Sequence, residues 1–527
     1  MKLFTCLTTG MRRALYPVTL GIEIDQEHFT AEDHRRFKAR LQDALTALDH
    51  VLDRPGFGIG DRTIGAELEL FLIDGQGRPF PVNEQVESAA KNPLITPELG
   101  AFSIELNTPP VRLAGRPFTA LEDHLVRTID DIERQAVARG ARSVPISILP
   151  TFRPDDFSSG SITDRPRYRA LAAGLRRLRK GPFTVRIEGE DTLELISEDI
   201  ALEGANLAFQ LHVRTAPEEF ARMFNAAMML TAPVLAVSGN SPTFLEHRLW
   251  EETRVALFQQ AGDDRPVDDD NDWQAPGRTG FGSGWVREGA AELFRESVAL
   301  YEPVLPVCSP ELPLAGLAQG GVPKLSELRL HHGTVWKWNR PVYDAEGGGH
   351  LRIELRALPS GPSVRDMVAN AACLLGGMLA YAPRMLELLP AFPFALAERN
   401  FYRAAQFGLD AELAWPRENG RPESVLARDL LPEIVSQARH ALLDAGVTVA
   451  EVDDTLGIIN ARVHMGTTGA VWQSRALAAL EARGLHRAEA LRQMLAYYVE
   501  QVHTGQPVHA WRDPESLTSL ELECDSA

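Results

Sequence analysis

Cysteine and lysine are scarce in this sequence. Its 527 residues include four cysteines, which are scattered and form no CxxC pair. This spacing excludes the usual structural zinc sites and is typical of a protein from a reducing compartment. Only six of the 54 basic residues are lysines, so arginine carries nearly all of the positive charge. The net charge of −18 argues against a basic surface that binds nucleic acid.

Several common functional motifs are also missing. The chain contains no GxxxxGK[ST], GxSxG or HExxH sequence, and "GFGSGW" at 280–285 does not complete GxGxxG. The most apolar run, "MVANAACLLGGMLAYAP" at 367–383, is interrupted by Asn370 and is too short to span a bilayer. We therefore predict a buried core helix there. The first 17 residues do not resemble a signal peptide, and we expect a cytoplasmic protein without a membrane partner.

The hydrophobic pattern predicts a mixture of strands and long helices. Strands are predicted at 63–73, 102–108, 144–149, 183–196, 205–214, 334–338 and 350–358. Helices are predicted at 31–53, 117–139, 217–236, 246–260, 286–301 and 364–388, and almost throughout after about residue 395. We expect a helical N-terminal extension at 1–60, a catalytic sheet with helices at 61–395, and a helical C-terminal part of the same unit at 396–527.

The stretch "HLRIELRAL" at 350–358 alternates in polarity almost without interruption. His350, Arg352, Glu354 and Arg356 fall on one side of a strand, and aliphatic residues fall on the other. A solvated strand face more often carries threonine, serine and lysine. The concentration of charge therefore needs another explanation.

Three further strands share this composition. Their polar sides carry two glutamates in the first strand, a glutamate with an asparagine in the second, and glutamine, histidine and arginine in the third: Glu67, Glu69, Glu105, Asn107, Gln210, His212 and Arg214. Carboxylates two residues apart repel by about 2 kcal/mol at an effective dielectric near 20. The simple interpretation is an antiparallel sheet with one solvated face. The alternative is a site for phosphoryl transfer, where carboxylates and an imidazole bind magnesium or manganese and arginines bind phosphate.

Five motifs, in this order, resemble the glutamate–cysteine ligase family. They are "GAELEL", "PELGAFSIELNTPP", "EGANLAFQLHV", "SGNSPTF…EETR" and "LRIELRA". The likeness is to the bacterial type-2 branch of carboxylate–amine ligases, which shares its catalytic sheet with glutamine synthetase. It implies an α+β fold with a curved antiparallel sheet of about six strands, backed by helices. It also implies that the inner face of the sheet binds ATP, Mg²⁺ (or Mn²⁺) and an acidic amino acid.

The resemblance assigns roles to individual residues. The implied metal ligands are Glu67, Glu69, Glu98, Glu105, His212 and Glu354. The implied phosphate- or substrate-facing arginines are Arg352 and Arg356, and the implied substrate-binding residues are Arg254, Arg462 and Thr467. Gln210 stands where many relatives have a second histidine, and we include it among the cofactor-binding candidates. Trp336, which shares a strand parity with Trp338, is a candidate platform for adenine.

The implied activity is ATP-dependent joining of the γ-carboxylate of glutamate to an amine, with cysteine as the expected acceptor. An acyl phosphate is the expected intermediate. Two alternatives remain open: a guanidino kinase-like phosphotransferase, and a regulatory protein that binds an amino acid or nucleotide without turnover. The expected partners are small molecules, and an oligomer is possible.

Overall fold

The computed structural model describes residues 24–266, 275–417 and 421–517. Residues 1–23, which begin the predicted N-terminal extension and include Cys6, lie outside these ranges, as do 267–274, 418–420 and 518–527 with Cys524. The strands are Thr63–Ile73 (β1), Ile95–Pro97 (β2), Ser103–Asn107 (β3), Val111–Arg112 (β4), Arg142–Val144 (β5), Phe183–Glu188 (β6), Thr192–Ser197 (β7), Phe209–Thr215 (β8), Thr243–Phe244 (β9), His247–Arg248 (β10), Asn339–Asp344 (β11), His350–Leu355 (β12), Glu412–Pro416 (β13) and Pro422–Leu426 (β14).

Helices occupy most of the remaining described chain. They are Ala31–Leu52 (α1), Asn83–Ala90 (α2), Pro117–Val137 (α3), Pro166–Arg179 (α4), Phe220–Ser238 (α5), Thr253–Ala261 (α6), Ala290–Leu300 (α7), Pro313–Ala318 (α8), Ser326–His332 (α9), Val364–Tyr381 (α10), Met385–Leu388 (α11), Phe394–Phe407 (α12), Ala427–Asp444 (α13), Val449–Met465 (α14), Gly469–Ala482 (α15), Arg487–His503 (α16) and Pro514–Leu517 (α17). Every predicted helix has an observed counterpart. The bounds differ by at most four residues, except at 246–260, where β10 occupies His247–Arg248 and the helix begins at Thr253, and at 364–388, which divides into α10 and α11.

A curved sheet lies at the centre of the fold. Its strands follow the order β11-β12-β8-β1-β3-β2, and every neighbouring pair is antiparallel. The short strands β4 and β5 pair with the two ends of β1. The predicted α+β class and the predicted curved antiparallel sheet of about six strands are confirmed.

The aliphatic side of β12 faces the core. Leu351, Ile353 and Leu355 have no exposed surface, and they share one hydrophobic cluster with residues of α5 and α10. The period of two thus separates the strand into a buried side and a polar side, as the alternation predicted.

Helices α5 and α10 form the centre of the helical layer. By length and composition, Pro217–Ser238 and Val364–Ala391 are apolar enough to cross a membrane, but 89% of the first span's apolar window is buried inside the protein. Two glycines let α10 approach its neighbours closely. A Cβ at Gly376 would lie 2.8 Å from Ala438 of α13, and one at Gly377 would lie 3.0 Å from Leu230 of α5. The run at 367–383 is a buried core helix, as predicted.

The two ends of the described chain pack on different parts of the molecule. Near the N-terminus, Arg40 of α1 forms a buried ion pair of 3.0 Å with Glu327 of α9. Near the C-terminus, α15 and α16 share a second hydrophobic cluster with Phe71 and Ile73 at the end of β1. Tyr498 of α16 also donates a 2.8 Å hydrogen bond to the carbonyl of Pro145.

Three predicted strands were wrong in extent. The strand predicted at 144–149 is only Arg142–Val144, because Pro145 has no backbone N–H to continue the ladder. The run at 183–196 is a hairpin of β6 and β7, with a turn in which Gly189 N donates to Asp191 O at 2.9 Å. The run at 205–214 becomes a strand only at Phe209, after a 3₁₀ turn at Ile200–Ala205.

The strand predicted at 334–338 does not belong to the sheet. Its backbone bonds to the loop at 278–280 instead, where Trp336 N donates to Arg278 O at 3.1 Å and Trp338 N donates to Gly280 O at 3.2 Å. The edge strand begins one residue later, at Asn339. The C-terminal part also contains a hairpin, β13–β14, that periodicity did not predict.

Candidate active site

The polar side chains of neighbouring strands meet on one face of the sheet. Glu354 of β12 lies opposite Arg340 of β11 and His212 of β8. Further along β1, Glu69 lies opposite Glu105 of β3. Because side chains at matched register positions point to the same face, these residues form one continuous polar surface across five strands.

Three of the predicted metal ligands form a first triad, which consists of Glu67, His212 and Glu354. Each offers one ligand atom, and these atoms lie within 4.8 Å of one another. Nε2 of His212 is 3.0 Å from Oε1 of Glu67 and 3.6 Å from Oε1 of Glu354. Among the described residues, neither ring nitrogen of His212 makes a hydrogen bond of acceptable geometry.

Positive charge surrounds the first triad. Arg340 donates from Nε and from Nη2 to Glu354, the latter at 3.1 Å, and Nη1 of Arg356 lies 3.4 Å from Glu354. Burial raises the pKa of Glu354, but the charges of Arg340, Arg356 and His212 outweigh it and hold that pKa well below its usual range. The pKa of Glu67 is also lowered, because His212 outweighs the effect of burial. Both carboxylates are therefore ionised at neutral pH.

The other three predicted ligands form a second triad, which consists of Glu69, Glu98 and Glu105. Their ligand atoms also lie within 4.8 Å of one another. Glu69 accepts hydrogen bonds from the backbone N–H of Ala208 at 2.7 Å and from Nε2 of Gln210 at 2.9 Å. In the part of the chain that the structure describes, none of the three carboxylates forms an ion pair with an arginine, lysine or histidine.

The second triad is strained electrostatically. Burial, together with the charge of Glu105, raises the pKa of Glu69 to about 8. Burial, with the charges of Glu69 and Glu203, raises the pKa of Glu98 to about 8. The pKa of Glu105 is raised well above its ordinary value, chiefly by burial. One buried and two half-buried carboxylates without an ion-pair partner among the described residues are a favourable arrangement only if a cation or protons neutralise them.

A pocket opens beside the second triad. Two arginines, two aromatic rings and a further glutamate contribute to its wall. Its lining includes Glu69, Glu98, Ser103, Glu203, Asn206, Arg254, Phe258, Trp338 and Arg356. The combination of guanidinium groups and carboxylates suits a small ligand that carries both signs of charge.

Arg254 is held rigidly in this pocket. It is buried, and its Nε donates to Glu252 at 2.8 Å while its Nη2 donates to the carbonyl of Ala357. Its guanidinium carbon lies 5.1 Å from the ring centroid of Trp338, within the range of a cation–π contact. These contacts leave little freedom to the side chain, so it is preorganised to bind an anionic group.

Comparison with known proteins agrees with this geometry. The family model of glutamate–cysteine ligase family 2 matches residues 63–496. The chain belongs to glutamate–cysteine ligase family 2. It is an ATP-dependent ligase that joins a carboxylate to an amine through a carbon–nitrogen bond. The predicted family is confirmed. Membership of this family argues against the kinase and non-catalytic alternatives.

Solved structures resemble the ligase at low sequence identity. The glutamate–cysteine ligase of Francisella tularensis, solved with AMP, has a TM-score of 0.50 and 11% identity, over 88% of this chain and 94% of that chain. A bifunctional glutathione synthetase from Pasteurella multocida has a TM-score of 0.47 and 12% identity, over 89% of this chain and 55% of that chain. At 11% identity, the likeness to the Francisella tularensis enzyme shows the fold alone. A search of curated proteins gives no match.

Other predicted residues of the ligase take different positions. Gln210 lies between the triads, where it bonds to Glu69 and accepts from Nη1 of Arg356. Arg352 lies away from Glu354 and forms an ion pair of 2.8 Å with Asp344.

The predicted C-terminal residues do not line the pocket. Arg462 is fully buried, donates to Val237 O at 3.2 Å and to Asn370 Oδ1 at 2.6 Å, and so links three helices. Thr467 donates to the carbonyl of Met465 at 3.3 Å. Their assignment as substrate-binding residues stays a prediction. For Arg462, the observed contacts are those of a residue that stabilises helix packing.

Sequence reasoning missed four residues of this region. Trp338 lines the pocket, whereas the ring of Trp336 packs against Phe258 at 6.4 Å. Arg340 was missed because its strand was placed too early in the chain. Glu203 is the first residue of "EGANLAFQLHV", and its place at the head of that motif was the available signal. Glu252, the partner of Arg254, is the second glutamate of "EETR", and its place in that motif was the available signal.

Proposed function

We propose that this ligase joins the γ-carboxylate of glutamate to the amino group of cysteine at the expense of ATP. The observation that carries the proposal is the second triad beside a pocket that contains Arg254 and Arg356. Glutamate has two carboxylates, and two guanidinium groups match them in charge and in the geometry of their hydrogen bonds. Cysteine as the acceptor is supported only by the family's name.

The triads have the chemistry of divalent cation sites. Carboxylate oxygens with one imidazole suit Mg²⁺ or Mn²⁺, and the His212 ring nitrogens lack hydrogen bonds among the described residues. Glu67, His212 and Glu354 would hold one ion, and Glu69, Glu98 and Glu105 another. Such ions reduce the repulsion between phosphate and carboxylate oxygens.

The reaction would proceed in two displacements. An oxygen of the glutamate γ-carboxylate attacks the γ-phosphorus of ATP, the bond to the β,γ-bridging oxygen breaks, and ADP leaves with the electron pair. The amine nitrogen then attacks the acyl carbon, the bond from that carbon to the phosphate oxygen breaks, and inorganic phosphate leaves. One proton from the amine is released.

The protein would contribute position and charge. Arg356 bonds to Gln210 and lies 3.4 Å from Glu354, so its guanidinium group is fixed on the polar face where negative charge must accumulate. Arg254, held by Glu252, would orient the amino acid through a carboxylate. Fixed dipoles and charges of this kind stabilise a transition state without reorganisation.

Transfer of labelled oxygen tests the proposal. Glutamate with heavy oxygen in its side-chain carboxylate should deliver one labelled oxygen to inorganic phosphate for each amide formed. Unlabelled phosphate during amide synthesis would exclude the acyl phosphate. Phosphorylated amine without any amide would instead favour the guanidino kinase-like alternative.

The acceptor needs a separate experiment. ADP release with ATP, Mg²⁺ and glutamate should be measured against a panel of amines that includes cysteine, serine, alanine and ammonia. The expected result is the highest kcat/KM with cysteine. A preference for another amine would replace cysteine in the proposal and leave the ligase chemistry intact.

A further inference from the structure

Glu203 presents a carboxylate to the pocket, where the positive charge of Arg356 acts on it without forming an ion pair. It lies in the 3₁₀ turn Ile200–Ala205 and lines the pocket together with Glu98, Arg254 and Arg356. Across the described chain, its side chain forms no hydrogen bond or ion pair. It is not one of the three carboxylates whose oxygens converge in the second triad.

The backbone holds Glu203 in place. Gly204 lets the turn approach the loop of the second triad, since a Cβ there would lie 3.2 Å from the backbone of Gly100. Asn206 fixes the other side of the turn, because its Nδ2 donates to the carbonyls of Leu202 and Glu203, both at 3.1 Å. The turn is therefore preorganised, and Glu203 faces the pocket from a constrained segment.

Asn206 supplies a second unused acceptor. Its two carbonyl partners determine which end of the amide is nitrogen, so the other end is the oxygen. That oxygen, Oδ1, is buried and accepts no hydrogen bond from the described residues. A buried acceptor of this kind is costly unless a ligand or water satisfies it. Asn206 and Glu203 both line the pocket.

The unsatisfied acceptors and the arginines require opposite partners. Arg254 and Arg356 bring donors with positive charge, whereas Glu203 and Asn206 bring acceptors, one of them negatively charged. A ligand that satisfies both sets has a carboxylate and a group with several N–H donors and a positive charge. An α-amino acid carries both on one carbon.

We infer that Glu203 and Asn206 Oδ1 bind the α-ammonium group of the carboxyl donor, so that the ligase selects an α-amino acid over a plain dicarboxylic acid. This inference rests on the proposed function, because it takes glutamate as the donor. Glu203 is thereby a determinant of donor specificity.

Binding of two matched donors tests the inference. Glutamate and glutarate have the same carbon chain and the same two carboxylates, and only glutamate has the ammonium group. Their Kd values should be measured by calorimetry with Mg²⁺ and ADP for the wild type and for Glu203→Gln. We expect Glu203→Gln to raise the Kd for glutamate by about 10- to 100-fold, as for loss of a hydrogen bond to a charged group. The Kd for glutarate should stay within about twofold of the wild-type value.

Two further variants complete the experiment. Glu198→Gln makes the same chemical change five residues earlier at an exposed position, and it should leave both Kd values unchanged. Glu203→Asp keeps the negative charge, and it should retain most of the preference for glutamate.

Several results would overturn the inference. If Glu203→Gln weakened the binding of glutamate and of glutarate equally, its effect would be a general one on the pocket. A raised Mg²⁺ requirement with an unchanged ratio of the two Kd values would make Glu203 a metal ligand instead. Absence of glutamate binding to the wild type would also overturn it. Normal glutamate binding without amide formation would contradict only the proposed function.

Discussion

The two triads lie on the same sheet face, but their surroundings differ in charge. The first triad faces Arg340 and Arg356, and the pKa of Glu354 is held well below its usual range. The second triad forms no ion pair among the described residues, and the pKa of Glu69 is raised to about 8. The pKa of Glu67 is lowered, so Glu67 and Glu69, two positions apart on β1, occupy opposite electrostatic environments.

The two triads therefore differ in their importance for folding and for catalysis. The first triad is compensated by the protein itself, so its carboxylates contribute to the folded state. The second triad accumulates negative charge that only protons or a bound cation can neutralise. A cation at the second triad would therefore add both stability and function, and the first triad would depend on it less.

The largest effects should come from removing one ligand of each triad. Glu354→Gln and Glu105→Gln should each lower kcat/KM on the order of 10³-fold, because both take a charged group from the site of phosphoryl transfer. Their effects on stability should differ. Glu354→Gln leaves Arg340 and Arg356 without their anionic partner and should cost about 3–5 kcal/mol.

Glu105→Gln should leave the stability of the metal-free enzyme unchanged or raise it, because it relieves repulsion in the second triad. Urea denaturation in the presence of chelator measures the free energy of unfolding of both variants. A similar loss of stability in the two would contradict the difference between the triads.

The next largest effects concern the two sides of β12. Arg356→Lys should reduce kcat/KM by about 100-fold with little loss of stability, because an ammonium group cannot reproduce the planar fork of N–H donors that a guanidinium group presents. Leu355→Ala should do the reverse and cost about 2–5 kcal/mol, since this side chain has no exposed surface. Steady-state kinetics and thermal melts of both variants check this, and an inverted pattern would refute the assignment of the two faces.

The pH dependence of stability should also separate the triads. The pKa values of Glu69 and Glu98 are raised from 4.5 to about 8, so the folded state keeps protons that the unfolded state releases. The second triad therefore supports folding fully below pH 4.5 and loses this contribution as the pH rises to about 8. The pKa of Glu354 is lowered, so its contribution is present above 4.5 and is lost in acid.

In chelator, the Tm should accordingly fall between about pH 5 and pH 8. Mg²⁺ should restore the Tm most strongly at the upper end of this range. Glu105→Gln should show a smaller fall than the wild type. A Tm that rises steadily to pH 8 in chelator would be inconsistent with the raised pKa values.

The smallest effect should come from an arginine that the sequence placed in the site. Arg352 pairs with Asp344 and not with Glu354, and both side chains are partly exposed. Arg352→Ala should change kcat/KM by less than about threefold and stability by about 1 kcal/mol or less. Arg340→Ala, whose guanidinium group contacts Glu354, is the matched comparison and should be far more damaging. Equal losses in both variants would restore the phosphate- or substrate-facing role predicted for Arg352.

The central strands could be predicted because their signal is local. β1 was predicted at its observed bounds, and the alternation in β12 correctly assigned Leu355 to the core and Glu354 to the polar face. Each side chain's face depends only on the period of two along its own strand. Edge elements were less predictable, because the backbone at 334–338 has a strand-like sequence but bonds to the loop at 278–280.

The sequence by itself determined the residue types on the polar face, the aliphatic composition of its back and, through its motifs, the family. Tertiary structure decided how those residues are grouped. Glu67 and Glu69 share one face of one strand, yet Glu67 joins His212 and Glu354 while Glu69 joins Glu98 and Glu105. It also decided that Arg340, and not Arg352, neutralises Glu354. The physical reason is that a strand's own period sets which face a side chain takes, whereas its neighbours depend on register between strands far apart in sequence.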